Sequence, residues 1–567
     1  MLRDWIPKAL AAACFIRGQV AAIRPIGAWY NLRAESDAVK WPRPASVQAA
    51  GSERSPLFQA HNLSVPVDHF HNDSRYEPHS DDFFNLRYWL DTSNYKEGGP
   101  VIVLHSGETS GENRLSYLEY GIVNILARAT NGIGVILEHR YYGTSIPVAN
   151  ATVENYRFLS TVQTLADNAY FARNVKFPGL ENVNLTGTEA PWIIYGGSYA
   201  GSVAAFTRKL YPELYWGAIS SSGVPEAIDD YWQYLEAARH FAPGDCSIAT
   251  QQVTDVVDSM LLSKNRTQAD EIKDLFGLKE LWDDDFASTI SRGIMGLQDT
   301  QWDPEEDSSS FGTYCAVVGA KSPLFASVGH LRPAVERAVA NANYNGHEAS
   351  LLTTRMLNYV GYVKQHTRRE RAERCKDQSI WDCFSVRSSG EDEDTSARWF
   401  RSWLYQTCTE WGYYITGSGV PKDQLPLISR AITLNYASIQ CQRMFNITTR
   451  PDVAIVNKLG GYNLSYPRLA FIAGAQDPWR QASPHAIGRA ERKSTVSEPF
   501  ILIDPGVHHW DENGVKEEAL SKQGLPPKQV AATQQAEIEF VKAWIAEWND
   551  ERHGKAGNMK LSGPELR

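Results

Sequence analysis

No stretch of this chain is long and apolar enough to span a membrane: the N-terminal apolar run, Ala9 to Ile16, is closed by Arg17, far short of the roughly 20 residues a span needs. No membrane association is therefore expected. A surplus of positive charge is also missing. Lys and Arg number 56 against 66 Asp and Glu, a net charge of −10, which excludes the basic surface a nucleic-acid binder requires. The one dense basic run, Arg368 to Arg374, is interleaved with Glu370 and Glu373 and reads as a solvated helix face. No internal repeat is visible, and the pair His508-His509 has no spaced Cys, His or carboxylate partner for a metal. No metal and no organic cofactor is implied.

What is present points to the secretory route. Charges at Arg3 and Lys8, the short apolar run and the small residues Val20-Ala21-Ala22 form a signal peptide over 1–22. Cys14 leaves with it, so an even set of six cysteines remains: Cys246, Cys315, Cys375, Cys383, Cys408 and Cys441. N-x-S/T sequons stand at Asn62, Asn72, Asn150, Asn184, Asn265, Asn446 and Asn463. A cytosolic protein needs neither feature. Secretion is expected, or alternatively delivery to a vacuolar or lysosomal lumen.

Along the chain, residues 23–55 read as a leader or propeptide. Apolar runs then recur at Val101–Leu104, Val135–Leu137, Trp192–Tyr195 and Trp216–Ser220, separated by amphipathic stretches, the rhythm of a parallel α/β sheet. This first part covers 56–224. From 225 to 440 the pattern changes to long polar and aromatic helical segments, such as Ala227–Ala242 and Ala397–Tyr414, with no clear buried strand. That stretch reads as an inserted helical cap. The sheet resumes over 441–550 with Leu469–Ala473 and Phe500–Ile503, and closes on a helix with Ile538, Val541, Ile545 and Trp548 on one face. The tail, 551–567, reads as disordered.

The most informative six residues are Gly196-Gly197-Ser198-Tyr199-Ala200-Gly201, placed where an apolar strand breaks into a helix-forming run. Small residues let the backbones pass in such a turn, the serine hydroxyl stands above the sheet edge, and the next N–H lies at a helix N-terminus. Ser198 is the candidate nucleophile. The pattern departs from G-x-S-x-G in having Ala200 at the fifth position and glycine one place later. A serine needs a base, and the base an orienting acid. Asp477 lies in the loop after Leu469–Ala473, and the pair His508-His509 in the loop after Phe500–Ile503, in the order Ser, Asp, His of an α/β-hydrolase.

These motifs, with Val67-Asp68-His69-Phe70, Lys96-Glu97-Gly98-Gly99-Pro100, Glu138-His139-Arg140-Tyr141-Tyr142-Gly143 and Asp477-Pro478-Trp479, resemble the S28 serine peptidases over roughly residues 60 to 545. The resemblance implies Ser198 as nucleophile, Asp477 as acid and His508 as base, with His509 as the fallback. It also implies cleavage on the carboxyl side of proline, and pairing of Cys408 with Cys441. Cys246–Cys315 and Cys375–Cys383 are then the favoured remaining pairs. In one place the chain departs from the prolyl carboxypeptidase branch: Asn513 stands where that branch has arginine.

The fold expected is an α/β-hydrolase with a large helical cap. The oxyanion hole is expected from the Tyr199 N–H and the loop at Gly107. A roofed pocket admits chain ends more readily than folded protein, so an exopeptidase acting on short peptides, a carboxypeptidase or a dipeptidyl peptidase, is expected, with a prolyl endopeptidase as the alternative. A serine esterase on the same fold and a catalytically idle binding protein are the other classes. Trp232, Trp399, Trp403 and Trp411 are the candidate lining of a proline pocket, and the Glu138 motif reads as a structural network. The partners expected are peptides and, at most, a second copy of the chain as a homodimer.

Overall fold

The computed structural model describes residues 57–150, 152–303, 307, 310–388, 398–516 and 524–561, with 398–399 and 553–561 as backbone only. The expected signal peptide and leader lie outside the described residues. An eight-stranded sheet forms the centre. β1 (Ala60–Pro66) and β2 (Phe83–Asp91) pair antiparallel at one edge, and β2 runs antiparallel to β4. The other strands, β3 (Val101–His105), β4 (Ile133–Leu137), β5 (Trp192–Gly197), β6 (Gly217–Ser221), β9 (Leu469–Gly474) and β10 (Phe500–Ile503), run parallel. Their order, β1-β2-β4-β3-β5-β6-β9-β10, is that of an α/β-hydrolase.

β3, β4, β6 and β9 are buried along their whole length, which is why they are continuous apolar or small-residue runs rather than alternating ones. Helices cover both faces. α1 (Thr161–Asn174) and α2 (Tyr199–Leu210) lie on one side, and α2 contacts β5 and β6. On the other side Phe540, Val541 and Trp544 of the C-terminal helix pack with Ile193, Ile219 and Ile472.

The long insert between β6 and β9 is mainly helical, including α3 (Cys246–Leu261) and α4 (Gly346–Arg374). It is not strandless, however. β7 (Ile228–Asp230) and β8 (Gly412–Tyr414) pair in parallel and break both segments expected to be long helices. Ala227–Ala242 becomes β7, a 3₁₀ turn and a short helix, Glu236–Phe241. Ala397–Tyr414 becomes the helix Arg398–Gln406, a π turn and β8. The cause is Gly412, at φ +70°, where any Cβ would lie 2.5 Å from the Ile228 carbonyl oxygen.

The tail also differs from expectation. The last helix, α5, runs from Lys528 to Leu561, and Arg552 holds it to Glu189 at 3.1 Å. All three disulfides form as the family pattern and the remaining cysteines imply: Cys246–Cys315, Cys375–Cys383 and Cys408–Cys441, with S–S distances of 2.08, 2.01 and 2.01 Å. Among the described residues no helix is long and apolar enough to cross a membrane. All seven sequon asparagines are exposed.

Candidate active site

The carboxyl ends of the parallel strands converge on one edge of the sheet, where α/β folds place their ligands. Ser198 sits between β5 and α2 with φ +58° and ψ −126°, a strained backbone for a residue with a Cβ. The glycines around it are fixed by space. A Cβ on Gly196 would lie 2.0 Å from the Ala200 oxygen, and one on Gly201 would lie 2.8 Å from Gly223 Cα. The backbone crossing that needs glycine is therefore at 201, whereas the Ala200 methyl rests beside Gly107, 3.2 Å from where a Cβ would stand there. The shifted glycine of the motif has a steric cause.

Asp477 follows β9. Its Oδ1 accepts from the Trp479 N–H at 2.8 Å, and its Oδ2 accepts from His508 Nδ1 at 2.9 Å. Both side chains are almost wholly buried. With Nδ1 engaged, His508 turns Nε2 inward, buried and without a hydrogen-bond partner. The end of β6 and the loop after it touch the serine turn and the histidine pair: Ser198 N–H donates to the Ser221 oxygen at 2.9 Å, and Ser222 Oγ accepts from the His509 N–H at 2.9 Å. The His509 ring faces elsewhere. Its Nδ1 lies 3.2 Å from Glu512 Oε2, misaligned for a hydrogen bond, and burial holds its pKa well below the usual value.

The two expected oxyanion groups fare differently. Tyr199 opens α2, and its hydroxyl is held by Gln406 Nε2 at 2.7 Å and by His139 Nε2 at 2.9 Å. Gly107 has φ +70°, as close approach demands, but its N–H donates to His105 Nδ1 at 3.2 Å. It is a spacer here rather than an open donor, because the buried ring of His105 stands on its own strand end two residues back.

Sequence reasoning missed the acids under the site. Asp511 accepts from Tyr195 OH at 2.5 Å and from Ser221 Oγ at 2.7 Å. Burial pushes Glu512 up to about 8, only partly offset by the Arg114 guanidinium, and raises Asp511, Glu108 and Glu537 as well. It missed the roof too. From the insert, Gln301 Nε2 donates to the His508 oxygen at 3.3 Å, and Trp302 Nε1 to the Trp510 oxygen at 2.8 Å. Asn513 donates to Gln301 Oε1 at 3.2 Å. Beside them Asp299 is pushed up to about 7 by burial.

The aromatic wall is also not where it was expected. Trp403 and Trp411 are core residues packed edge-on against Tyr199, and the side chain of Trp399 lies outside the described residues. The rings next to the catalytic loops are Trp479, Tyr231, Tyr234 and Tyr413. Trp479 lies 5.4, 5.3 and 5.0 Å from the three tyrosine centroids and 6.5 Å from His508. Glu138 is a structural hub, as expected: it accepts from Arg87 at 2.7 Å and from the Gly111 N–H at 2.9 Å, and a Cβ on Gly143 would lie 2.0 Å from its Oε1.

Comparison with known proteins agrees with this geometry. Residues 66–521 match the family model Serine carboxypeptidase S28. The chain is 44% identical over 542 residues, 95% of its own length and 74% of the relative's, to the "Probable extracellular serine carboxypeptidase" of Arthroderma benhamiae. It is 27% identical to the "Serine protease vicPa" of Bipolaris victoriae over 83% of this chain and 86% of that one. The "Lysosomal Pro-X carboxypeptidase" of Pongo abelii is 24% identical, with 89% and 91% covered. With an eight-stranded hydrolase sheet, a serine turn at the end of its fifth strand and a match spanning most of its length, this chain belongs to the S28 serine carboxypeptidase family and is a serine-type peptidase.

Proposed function

We propose that the chain is a secreted exopeptidase that cleaves short peptides on the carboxyl side of proline, with Ser198, Asp477 and His508 as its triad. The observation that carries this reading is the 2.9 Å contact from His508 Nδ1 to Asp477 Oδ2, which leaves Nε2 buried and unpartnered. An imidazole so held accepts a proton at Nε2 and at no other atom.

In this reading His508 Nε2 takes the Ser198 proton as Oγ attacks the scissile carbonyl. The same proton passes to the leaving amine as the C–N bond breaks. Water, deprotonated by His508, then opens the acyl-enzyme and restores the hydroxyl. Asp477 keeps the proton on Nδ1 and stabilises the imidazolium. The Tyr199 N–H, at the N-terminus of α2, meets the oxyanion, and one such donor contributes about 3 kcal/mol to the transition state. Gly107 lets its loop lie close to the serine turn.

A P1 proline offers no N–H and a fixed φ, so it is recognised by ring shape. The Trp479, Tyr231, Tyr234 and Tyr413 cluster supports a flat apolar slot of that kind beside His508. Such a slot excludes large side chains but separates proline from alanine weakly, since each missing methylene is worth only about 1–3 kcal/mol. Alanine is the leading minor P1 residue. The extracellular and Pro-X carboxypeptidase relatives, together with seven exposed sequons and three disulfides, support secretion and release of the carboxyl-terminal residue.

The test is a set of quenched peptides with an internal Pro-X bond, carrying free or blocked ends. Loss of turnover on amidating the carboxyl end supports the reading. Faster cleavage of doubly blocked peptides makes the protein an endopeptidase, and indifference to P1 proline removes the specificity.

A further inference from the structure

In the loop between β1 and β2, three potential metal ligands meet. Asp68, His71 and His79 each bring one ligand atom to within 4.8 Å of the other two. The site is built rather than incidental, because Asp68 is fixed from behind. Its side chain is buried, and Oδ1 accepts from the Phe70 N–H at 2.8 Å and from Gln163 Nε2 at 2.7 Å. Gln163 belongs to α1, and its own Oε1 accepts from the His69 N–H at 3.0 Å. Only Oδ2 of Asp68 faces the histidines, 2.7 Å from His79 Nδ1. The two imidazoles stack, with centroids 5.3 Å apart and planes 30° apart. Side-chain exposure rises along the set, 0% at Asp68, 24% at His79 and 49% at His71, so the cluster opens outward and an ion can enter.

We propose that Asp68, His71 and His79 bind one divalent transition-metal ion of the Zn2+ type, which ties the start of the β1–β2 loop to its end. Two imidazole nitrogens and one carboxylate oxygen, with a position left for water, are a borderline donor set suited to Zn2+ rather than to Ca2+ or Mg2+. Ligand atoms around one Zn2+ stand about 3.3 Å apart, so the half-exposed His71 ring must turn inward and the His79 ring must draw back slightly from Asp68 Oδ2, now at 2.7 Å. The ion then takes the place of that hydrogen bond. Gln163 and the Phe70 N–H supply the outer hydrogen bonds that orient a ligating carboxylate. Asp81, whose Oδ1 lies 4.0 Å from His71 Nδ1, stands at the open side.

The full secreted chain, stripped with a chelator and dialysed against Zn2+, is expected to take up one tightly held equivalent and to unfold at a higher temperature in its presence. In the His71→Ala/His79→Ala variant that equivalent weakens on the order of 100-fold or more, and the thermal response disappears. His330→Ala, an exposed histidine elsewhere, keeps both. Circular dichroism and peptide turnover check that the double variant folds. Where it does not, His71→Ala alone, at an exposed ring, carries the test by the same two readouts. Wild-type protein that binds no Zn2+, or variants that bind as tightly as wild type, overturn the proposal.

Discussion

The hydroxyl of Tyr195, on the strand that leads to Ser198, donates at 2.5 Å to Asp511 in the loop that carries His508. Ser221 holds the other Asp511 oxygen at 2.7 Å, so strands β5 and β6 clamp the base loop from below. Tyr195→Phe removes one donor from a buried carboxyl without opening a cavity. It is expected to lower stability by about 1–3 kcal/mol, read as a reduced urea midpoint, and to lower kcat more than it alters KM because the base is less well held. An unchanged midpoint would show that the clamp carries no energy.

Ser198→Ala is expected to cut kcat by on the order of 10⁴-fold or more while leaving secretion and thermal unfolding near wild type, since the hydroxyl contributes chemistry and not packing. His508→Ala does the same. His509→Ala retains most turnover, because its ring faces Glu512 and only its backbone N–H joins the Ser222 contact. Fluorophosphonate labelling of the three variants reads the difference directly. Labelled His508→Ala beside unlabelled His509→Ala would exchange the two roles.

The displaced glycine gives a steric test. Gly201→Ala puts a methyl 2.8 Å from Gly223 Cα and 3.0 Å from the Gly196 oxygen, contacts that the backbone must move to relieve, and is expected to abolish activity and depress yield. Ala200→Gly removes a methyl facing Gly107 and costs at most about 1 kcal/mol through helix propensity. Peptide turnover and thermal unfolding of the two purified variants should diverge sharply.

Stability should fall as pH rises from 7.5 to 8.5. Glu512, normally at 4.5, is pushed up to about 8 by burial, and Asp299 to about 7. The folded chain therefore holds protons that the unfolded chain has released, a stabilisation complete below the ordinary carboxyl range and lost as pH climbs through these raised values. Burial acts in the opposite sense on His139 and His485, each lowered to about 4, whose contribution fades as pH drops from 6.5 toward 4. Above about 7.5 those histidines are essentially neutral in both states, and the acids govern the slope. Urea midpoints at pH 7.5 and 8.5 measure it. Glu512→Gln should flatten it, and an unaltered slope would move the effect to other acids.

Six of the eight strands of the main sheet were readable because each is an apolar or small-residue run, buried in all but the edge strand β10. β1 and β2 were not, since β1 alternates polar and apolar residues at an edge and β2 mixes charge into its run. The three-residue strands β7 and β8 owe their existence to Gly412 passing Ile228, a contact between residues far apart in the chain. The same division holds at the site. Ser198, Asp477 and the histidine pair could be found because each follows an apolar strand run. Asp511 and Tyr195 are 316 residues apart, and nothing local marks a carboxylate in a loop as the seat of a base. Trp479 was read as part of a family motif, whereas its place in an aromatic wall emerges only from the fold.

Trp302 and Trp510 are laced together twice: the indole N–H of the first reaches the backbone of the second, and that of the second reaches the Thr300 oxygen at 2.9 Å. The insert and the loop that carries His508 are thus joined at two points. With His508 as the proposed base, a substrate that lifts the insert would also pull on the loop that seats the base, so bulky peptides are expected to lose turnover as well as affinity.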